Sequence, residues 1–234
     1  VQTIESIDSA REGAPSSTYQ ATSKIGTWVG FFVLSIFALA VFWAFDALPF
    51  QDLPAHAGLI ALRHRFQESA FEQKYYVFAP HIGPYSLFRF LGEIFTSLAN
   101  PLAAVRALAT LPVLATPCAL LFARRRLHGD TSATFGFLGL ALSFGFMTLM
   151  GFASYLLGTA VMLFALTLWL ELIAATDRAS GQTFAGTWKK ELIVAAVASF
   201  VFVAHGHAFV LLLIFAATSA LSVGEWRWPR IVRA

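Results

Sequence analysis

Residues 131–170 read TSATFGFLGLALSFGFMTLMGFASYLLGTAVMLFALTLWL, and this stretch decides the fold. Its 40 residues carry no charge between Asp130 and Glu171. An α-helix rises ~1.5 Å per residue and the hydrocarbon core of a bilayer is ~30 Å thick, so the stretch is too long for one crossing. It predicts two membrane crossings joined by a turn at residues 150–152, where Gly151 permits the reversal.

The composition of the whole chain agrees with a membrane protein. Apolar residues make up 58% of the chain and charged residues 12%, whereas soluble proteins carry roughly 25% charged residues. Other charge-free runs cover residues 25–45, 107–123 and 192–224. The sequence therefore predicts an all-α fold, a polytopic transmembrane helical bundle of about five spans. The last run exceeds one perpendicular span, so it is expected to tilt, protrude or break near residues 205–207.

Basic residues in the short loops predict the orientation. Three arginines occupy residues 124–126, and Lys189 and Lys190 precede the last apolar run. By the positive-inside rule these loops and the N-terminus are cytoplasmic, and the loop at residues 46–100 is outward. The arginines at residues 227–233 then lie outside. This placement indicates either a missed crossing or a chain that stops before its natural end, and we favour the second.

The predicted domain organisation has three parts. Residues 1–24 form a polar N-terminal tail without the pattern of a signal peptide, residues 25–224 form the transmembrane helical domain, and residues 225–234 form a basic C-terminal tail. The single cysteine, Cys118, excludes an internal disulfide. No phosphate-binding loop or zinc-type cysteine cluster occurs, and the net charge of +3 comes from membrane-flanking arginines. We therefore expect no nucleic-acid partner.

The outward loop contains the first candidate site. Asp52 is suited to cap a helix, and Pro54 is tolerated in a first turn. An apolar face on this helix predicts that it lies on the outer membrane surface, with Leu59, Ile60, Leu62 and Phe66 on that face. Asp52 and His56, four residues apart, project from one side and are a candidate acid–base or metal-binding pair. The simpler interpretation is that Asp52 only caps and His56 is an interfacial aromatic residue. Asp46 is likewise either a helix-end anchor or a catalytic acid.

A second candidate site is His205-Gly206-His207 within the last apolar run. Ionisable groups at membrane depth are costly and often mark a site or a pathway. In a continuous helix residues i and i+2 point about 200° apart, so the two histidines are expected to face different surroundings. A neutral histidine hydrogen-bonded to another span explains His205 equally well. The glycine pairs Gly26/Gly30 and Gly136/Gly139 predict close helix packing.

Three stretches together resemble bacterial multi-spanning proteins that are similar to the GT-C membrane glycosyltransferases. They are residues 51–56 (QDLPAH), residues 151–158 (GFASYLLG) and Ala204-His205, and the resemblance extends from about residue 28 to residue 221. It implies a multi-pass protein of the bacterial inner membrane that binds a polyprenyl-phosphate sugar.

The resemblance also implies roles for particular residues. Asp52 or Asp46 takes the position of the catalytic acidic residue, followed by juxtamembrane helices near residues 52–71 and 85–97. His56 and His205 take positions that suggest contact with a divalent metal or a phosphate, so the predicted metal ligands are Asp52, His56 and His205.

Members of this group are about twice as long, with further spans. An isolated half lacks part of the cavity, so the resemblance supports common descent of the fold more strongly than activity. The alternative function is a noncatalytic scaffold or accessory subunit in a larger membrane complex. In both cases the expected partners are membrane lipids and other membrane protein chains.

Overall fold

The computed structural model describes residues 17–45, 50–77, 82–178 and 188–222, and these residues form helices and no strand. In chain order the helices are α1 (Ser17–Trp43), α2 (Leu53–Arg65), α3 (Ala70–Tyr75), α4 (Ser86–Leu98), α5 (Pro101–His128), α6 (Thr134–Ser143), α7 (Phe146–Leu149), α8 (Ala153–Arg178), α9 (Trp188–Ala204) and α10 (Gly206–Ser222). A short 3₁₀ turn, Phe66–Glu68, follows α2. The all-α prediction is confirmed. The two predicted tails lie largely outside the described residues.

Among the described residues, three helices have the length and composition to cross a membrane: Lys24–Trp43 within α1, α5, and Ala153–Ala175 within α8. The bounds of α5 follow from its sequence. The Asn100 side chain accepts a hydrogen bond from the Ala103 N–H at 2.8 Å, Pro101 fits the first turn, and Gly129 ends the helix with φ +68°. The count of about five spans stays a prediction.

Contacts along the helices fix their relative directions. The rings of Phe122 on α5 and Phe164 on α8 lie 5.2 Å apart. One turn further on, the Arg126 guanidinium donates to both carboxylate oxygens of Glu171 at 2.6 Å. Therefore α5 and α8 run in the same direction.

Helix α6 runs opposite to α5 and in the same direction as α1. A Cβ on Gly136 would contact Leu121, and one on Gly139 would contact Pro117. On the other side, Trp28 Nε1 donates to the Thr131 carbonyl at 3.2 Å, and near the far end of α1 the rings of Phe42 and Phe144 lie 6.2 Å apart.

The long uncharged stretch is not a symmetrical pair of helices. Its first half breaks after Ser143 into α6 and the four-residue α7, whereas its second half is the long helix α8. The predicted turn is present, because Gly151 has φ +81°. A Cβ there would approach the Asp52 backbone nitrogen to 3.0 Å. Glycine is therefore required both by the backbone conformation and by the close contact.

The last apolar run breaks and reverses at His205. Glu191 near the start of α9 and Leu221 near the end of α10 line the same cleft. In one continuous helix these residues would lie roughly 45 Å apart. Of the three outcomes left open by the sequence, a break is the one found. The two histidines face different surroundings, as expected, because His205 is buried whereas His207 is exposed, although the break at His205 leaves their ring centroids 5.6 Å apart.

Two ends of the molecule are therefore distinct. The basic end carries residues 124–126, Lys189 and Lys190, because the Arg126–Glu171 pair and the α9–α10 cleft both lie beside the second half of α8. The loop end carries α2, α4, the turn at residues 150–152 and the reversal at His205.

One packing expectation needs correction. A Cβ on Gly26 would meet nothing within 4 Å, and one on Gly30 would meet only the Phe137 ring edge at 3.5 Å, so this glycine pair makes no close helix approach among the described residues. On α2, Ile60 is buried and Leu59 is 61% exposed, and the contact of this face with the membrane surface stays a prediction. Helices do occupy both segments predicted as juxtamembrane.

Candidate functional site

The structure brings the three resembling stretches together along the first turns of α8. At one point the Asp52 N–H donates to the Met150 carbonyl at 3.0 Å. About 10 Å further along α8 by helix rise, Gly158 faces His205, and a Cβ on Gly158 would come within 2.5 Å of the His205 Cβ. Segments that are distant in the sequence therefore form one region at the loop end.

Asp52 and His56 lie at the start of α2. Asp52 occupies the N-cap position with φ −91° and ψ −9°, but its carboxylate makes no capping hydrogen bond. His56 is half-buried, with its ring centroid 4.8 Å from that of Phe88 on α4. Burial lowers the pKa of His56, and the nearby Asp52 charge partly opposes this by raising it. His56 is thus biased toward the neutral form, which is able to accept a proton.

His205 is enclosed by aromatic rings. Its centroid lies 4.6 Å from Tyr85 and 5.2 Å from Tyr155, both in edge-to-face geometry, and 5.6 Å from His207. We call these four residues the His205 cluster. His205 is only 5% exposed, yet its Nδ1 has no hydrogen-bond partner among the residues that the structure describes. A buried polar atom without a partner is uncommon and indicates a place for a water molecule or a ligand atom.

Tyr85 reaches this cluster through a strained backbone. It precedes α4 and has φ +70°, which is rare for a residue with a bulky side chain. The loop on its N-terminal side is held by a hydrogen bond from the Gly83 N–H to the Ser86 hydroxyl at 3.0 Å. Strain of this kind is often found at functional sites.

Arginines lie close to the start of α4. The Arg89 guanidinium donates to the Ser86 hydroxyl at 3.0 Å, while its Nε is buried without an acceptor in the described ranges. Arg63 on α2 forms an ion pair with Glu93. Burial lowers the pKa of Arg63, and the neighbouring Arg89 lowers it further. Glu93 balances the charge of Arg63, so the Arg89 guanidinium and the N-terminus of α4 are the groups that favour an anion at this place.

The sequence did not single out Tyr85, Arg63 or Arg89. Tyr155 lay inside one of the resembling stretches, but its ring was assigned no role. A positive φ at tyrosine and a contact between α2 and α4 have no signature in local sequence. Asp46, the other predicted catalytic acid, lies outside the described residues.

The metal prediction finds no support in the arrangement of these side chains. Within the described ranges, no group of three or more His, Cys, Asp or Glu side chains could hold a metal ion. Asp52, His56 and His205 therefore do not form a three-ligand set of the kind that most protein metal sites require. Ion binding by Asp52 and His56 as a pair stays a prediction.

In the part of the chain that the structure describes, the fold is all-helical with three helices able to span a membrane by length and composition, and its apolar helices are consistent with lipid contact. Comparisons with protein-family models, curated proteins and solved structures found no match. The assignment of a function therefore depends on the site itself and on the resemblance of its three stretches.

Proposed function

We propose that this chain is a GT-C-like integral membrane module of the bacterial inner membrane that handles a polyprenyl-phosphate sugar at its loop end. The observation that supports this function is the meeting of residues 51–56, residues 151–158 and His205 in one region, beside two arginines and a buried histidine nitrogen without a partner. The loop end faces outward and the basic end faces the cytoplasm, in accordance with the positive-inside rule.

In the proposed reaction Asp52 is the general base. Its carboxylate takes the proton of an acceptor hydroxyl, and the acceptor oxygen then forms a bond to the anomeric carbon of the sugar. The bond between that carbon and the phosphate oxygen breaks, and the electron pair leaves with the lipid phosphate. Arg89 and Arg63 stabilise the negative charge on this leaving group. Asp46 is the alternative base.

The proposed topology has six apolar segments that alternate in direction: α1, α5, α6 with α7, α8, α9 and α10. It differs from the five-span expectation because α9 and α10 run in opposite directions. Each of these two helices has 17 residues, which is the lower limit for a crossing at about 17–25 residues. The N-terminus and the end of α10 then lie on the cytoplasmic side.

A second candidate is a noncatalytic subunit of a larger membrane complex. One observation favours it: only 22% of the apolar window of α1 is buried, against 50% for α5 and 44% for α8. Large apolar side chains on α1, among them Phe32, Ile36 and Phe37, are exposed. These side chains are available to the helices of a partner chain as well as to lipid.

In the decisive experiment, the chain is purified in mild detergent together with any chains that copurify with it. The transfer of sugar from polyprenyl-phosphate donors is then measured. Asp52→Asn should lower turnover by about 10²–10⁴-fold, because general-base catalysis contributes that much. Glu68→Gln is the matched control, since it neutralises an exposed carboxylate at the same end. Unchanged turnover in Asp52→Asn means that Asp52 is not the base. A stable assembly that transfers no sugar in wild-type form favours the second candidate.

A further inference from the structure

A cleft of about 410 Å³ lies between α8, α9 and α10, toward the basic end. Its walls are mostly alanine and leucine, and they include Ala165 and Trp169 on α8, Ala195 on α9, and Ala216 and Ala220 on α10. We call it the alanine cleft. Ala165 lies about 10 Å beyond Gly158 along α8. The cleft is therefore separate from the region proposed for sugar transfer.

The interior of the alanine cleft offers almost no polar group. The Trp169 indole N–H already donates to the Ala216 carbonyl at 3.2 Å and to the Ser219 hydroxyl at 3.0 Å. Glu191, in the first turn of α9, is the only acidic side chain among the described residues of the lining. Because apolar cavities hold apolar ligands rather than water, the occupant must have a hydrocarbon body.

The size of the cleft selects among hydrocarbon-rich occupants. At roughly 30 Å³ for a group the size of a water molecule, the cleft holds about 14 such groups. A single turn of a partner helix, about 5.4 Å long and about 10–12 Å across with its side chains, occupies roughly 420–610 Å³ and exceeds the volume of the cleft. A single methylene chain is thin enough to lie between the alanines.

The charges beside the cleft indicate which head group accompanies that chain. Lys189 and Lys190 precede Glu191 in the first turn of α9, and both are exposed. Lys190 is four residues before Val194, which lines the cleft, so the two lie on the same side of the helix. Juxtamembrane lysines attract anionic lipid head groups.

We propose that the alanine cleft binds one acyl chain of an anionic phospholipid, whose phosphate lies beside Lys189 and Lys190. This lipid is a bound component of the protein and is independent of the proposed sugar donor, because it enters from the basic end.

The test uses the full chain in mixed micelles with phosphatidylglycerol that carries bromine in the middle of its acyl chains. Bromine quenches tryptophan fluorescence on contact, so the difference between wild type and Trp169→Phe isolates the signal of Trp169. We expect saturable quenching of Trp169. Ala195→Phe fills the cleft and should remove at least half of this quenching. Ala196→Phe is the matched control, because its neighbouring position on the same helix is exposed and does not line the cleft.

The head group is tested separately with Lys190→Gln. One juxtamembrane lysine contributes about fivefold to binding of an anionic lipid, so the half-saturating lipid fraction should rise about fivefold. Brominated phosphatidylcholine should bind wild type more weakly than phosphatidylglycerol does. Equal quenching in Ala195→Phe and Ala196→Phe overturns the proposal. A copurifying protein chain that cross-links at position 195 and excludes the lipid also overturns it.

Discussion

At the scale of single residues, the main feature is the Nδ1 atom of His205, which is buried without a hydrogen-bond partner among the described residues. Leaving such an atom unsatisfied costs about 1–3 kcal/mol. The surroundings of His205 are tightly packed, because a Cβ on Gly158 would come within 2.5 Å of its Cβ. The strained tyrosine Tyr85 closes the other side. Both the orphan nitrogen and the strain favour a functional interpretation of this residue over a purely structural one.

His56 provides a prediction at this scale. Burial lowers its pKa below the ordinary value, and the charge of Asp52 raises it in part. Asp52→Asn should therefore lower the pKa of His56 further. The measurement is a titration of the histidine Cε1 resonances by NMR in detergent micelles, with His56→Gln to assign the signal. A higher pKa in Asp52→Asn would contradict the proximity of the two side chains.

The lowered pKa of His56 also determines whether the protein becomes more or less stable as the pH falls. The unfolded state binds a proton near pH 6.5, whereas the folded state binds it only at lower pH. The contribution of neutral His56 to the free energy of unfolding is thus complete above about pH 6.5, and it falls as the pH is lowered toward the pKa of His56 in the folded state. His56→Gln should unfold with a weaker dependence on pH in this window.

At the scale of elements, small residues decide how closely the helices approach. Gly139 on α6 faces Pro117 on α5, and a Cβ on Gly139 would lie 2.3 Å from the Pro117 Cα. The neighbouring atom belongs to the backbone of a buried helix, so it has little freedom to move. The sequence around Gly26 on α1 also predicts close helix packing, but a Cβ on Gly26 would meet nothing within 4 Å.

These two glycines make a matched pair for mutation. Gly139→Ala should destabilise the protein by about 1–3 kcal/mol, because overpacking forces α5 and α6 apart. Gly26→Ala should be neutral or should stabilise α1 by up to ~1 kcal/mol, because alanine favours the helix. The measurement is the thermal unfolding midpoint of each variant in the same detergent. Equal midpoints for the two variants would show that the α5–α6 contact is not as close as described.

At the scale of the whole molecule, the reversal at His205 changes which end of the protein holds the end of α10. Residues from both helix ends line the alanine cleft, so Ser222 lies at the basic end, as does Trp188. A single span over residues 192–224 would place the start of α9 and the end of α10 on opposite sides of the membrane, whereas the proposed topology places them on the same side.

Accessibility labelling of intact cells tests this arrangement. In a Cys118→Ser background, single cysteines replace Gln67, His128 and Ser222, all of which are exposed. An impermeant thiol reagent should label position 67 and leave positions 128 and 222 unlabelled. Labelling of position 222 as fast as position 67 would restore the five-span topology. Labelling of positions 128 and 222 without labelling of position 67 would invert the whole orientation.

The sequence by itself determined the properties that depend on local composition. An uncharged, mostly apolar stretch of 40 residues is not stable when exposed to water, so the sequence directly predicts a helical membrane protein. The turn at Gly151 and the helices of the outward loop also follow from short-range rules. Asp52, His56 and His205 were identified as candidates for the same reason, since each is a polar residue next to apolar segments.

Only the tertiary structure decided how these candidates are arranged. Whether an apolar run continues or reverses depends on the neighbours that pack against it, and here Gly158 and Tyr85 enclose the break at His205. The juxtaposition of Arg89 with Arg63 and of Asp52 with Met150 joins segments that are 26 and 98 residues apart in the sequence. Contacts between residues so far apart produce no periodic pattern in a single sequence. Each contact forms only when the helices between the two residues have packed in a particular way. The tertiary packing therefore decided the geometry of the site, whereas the sequence had already determined its residues in part.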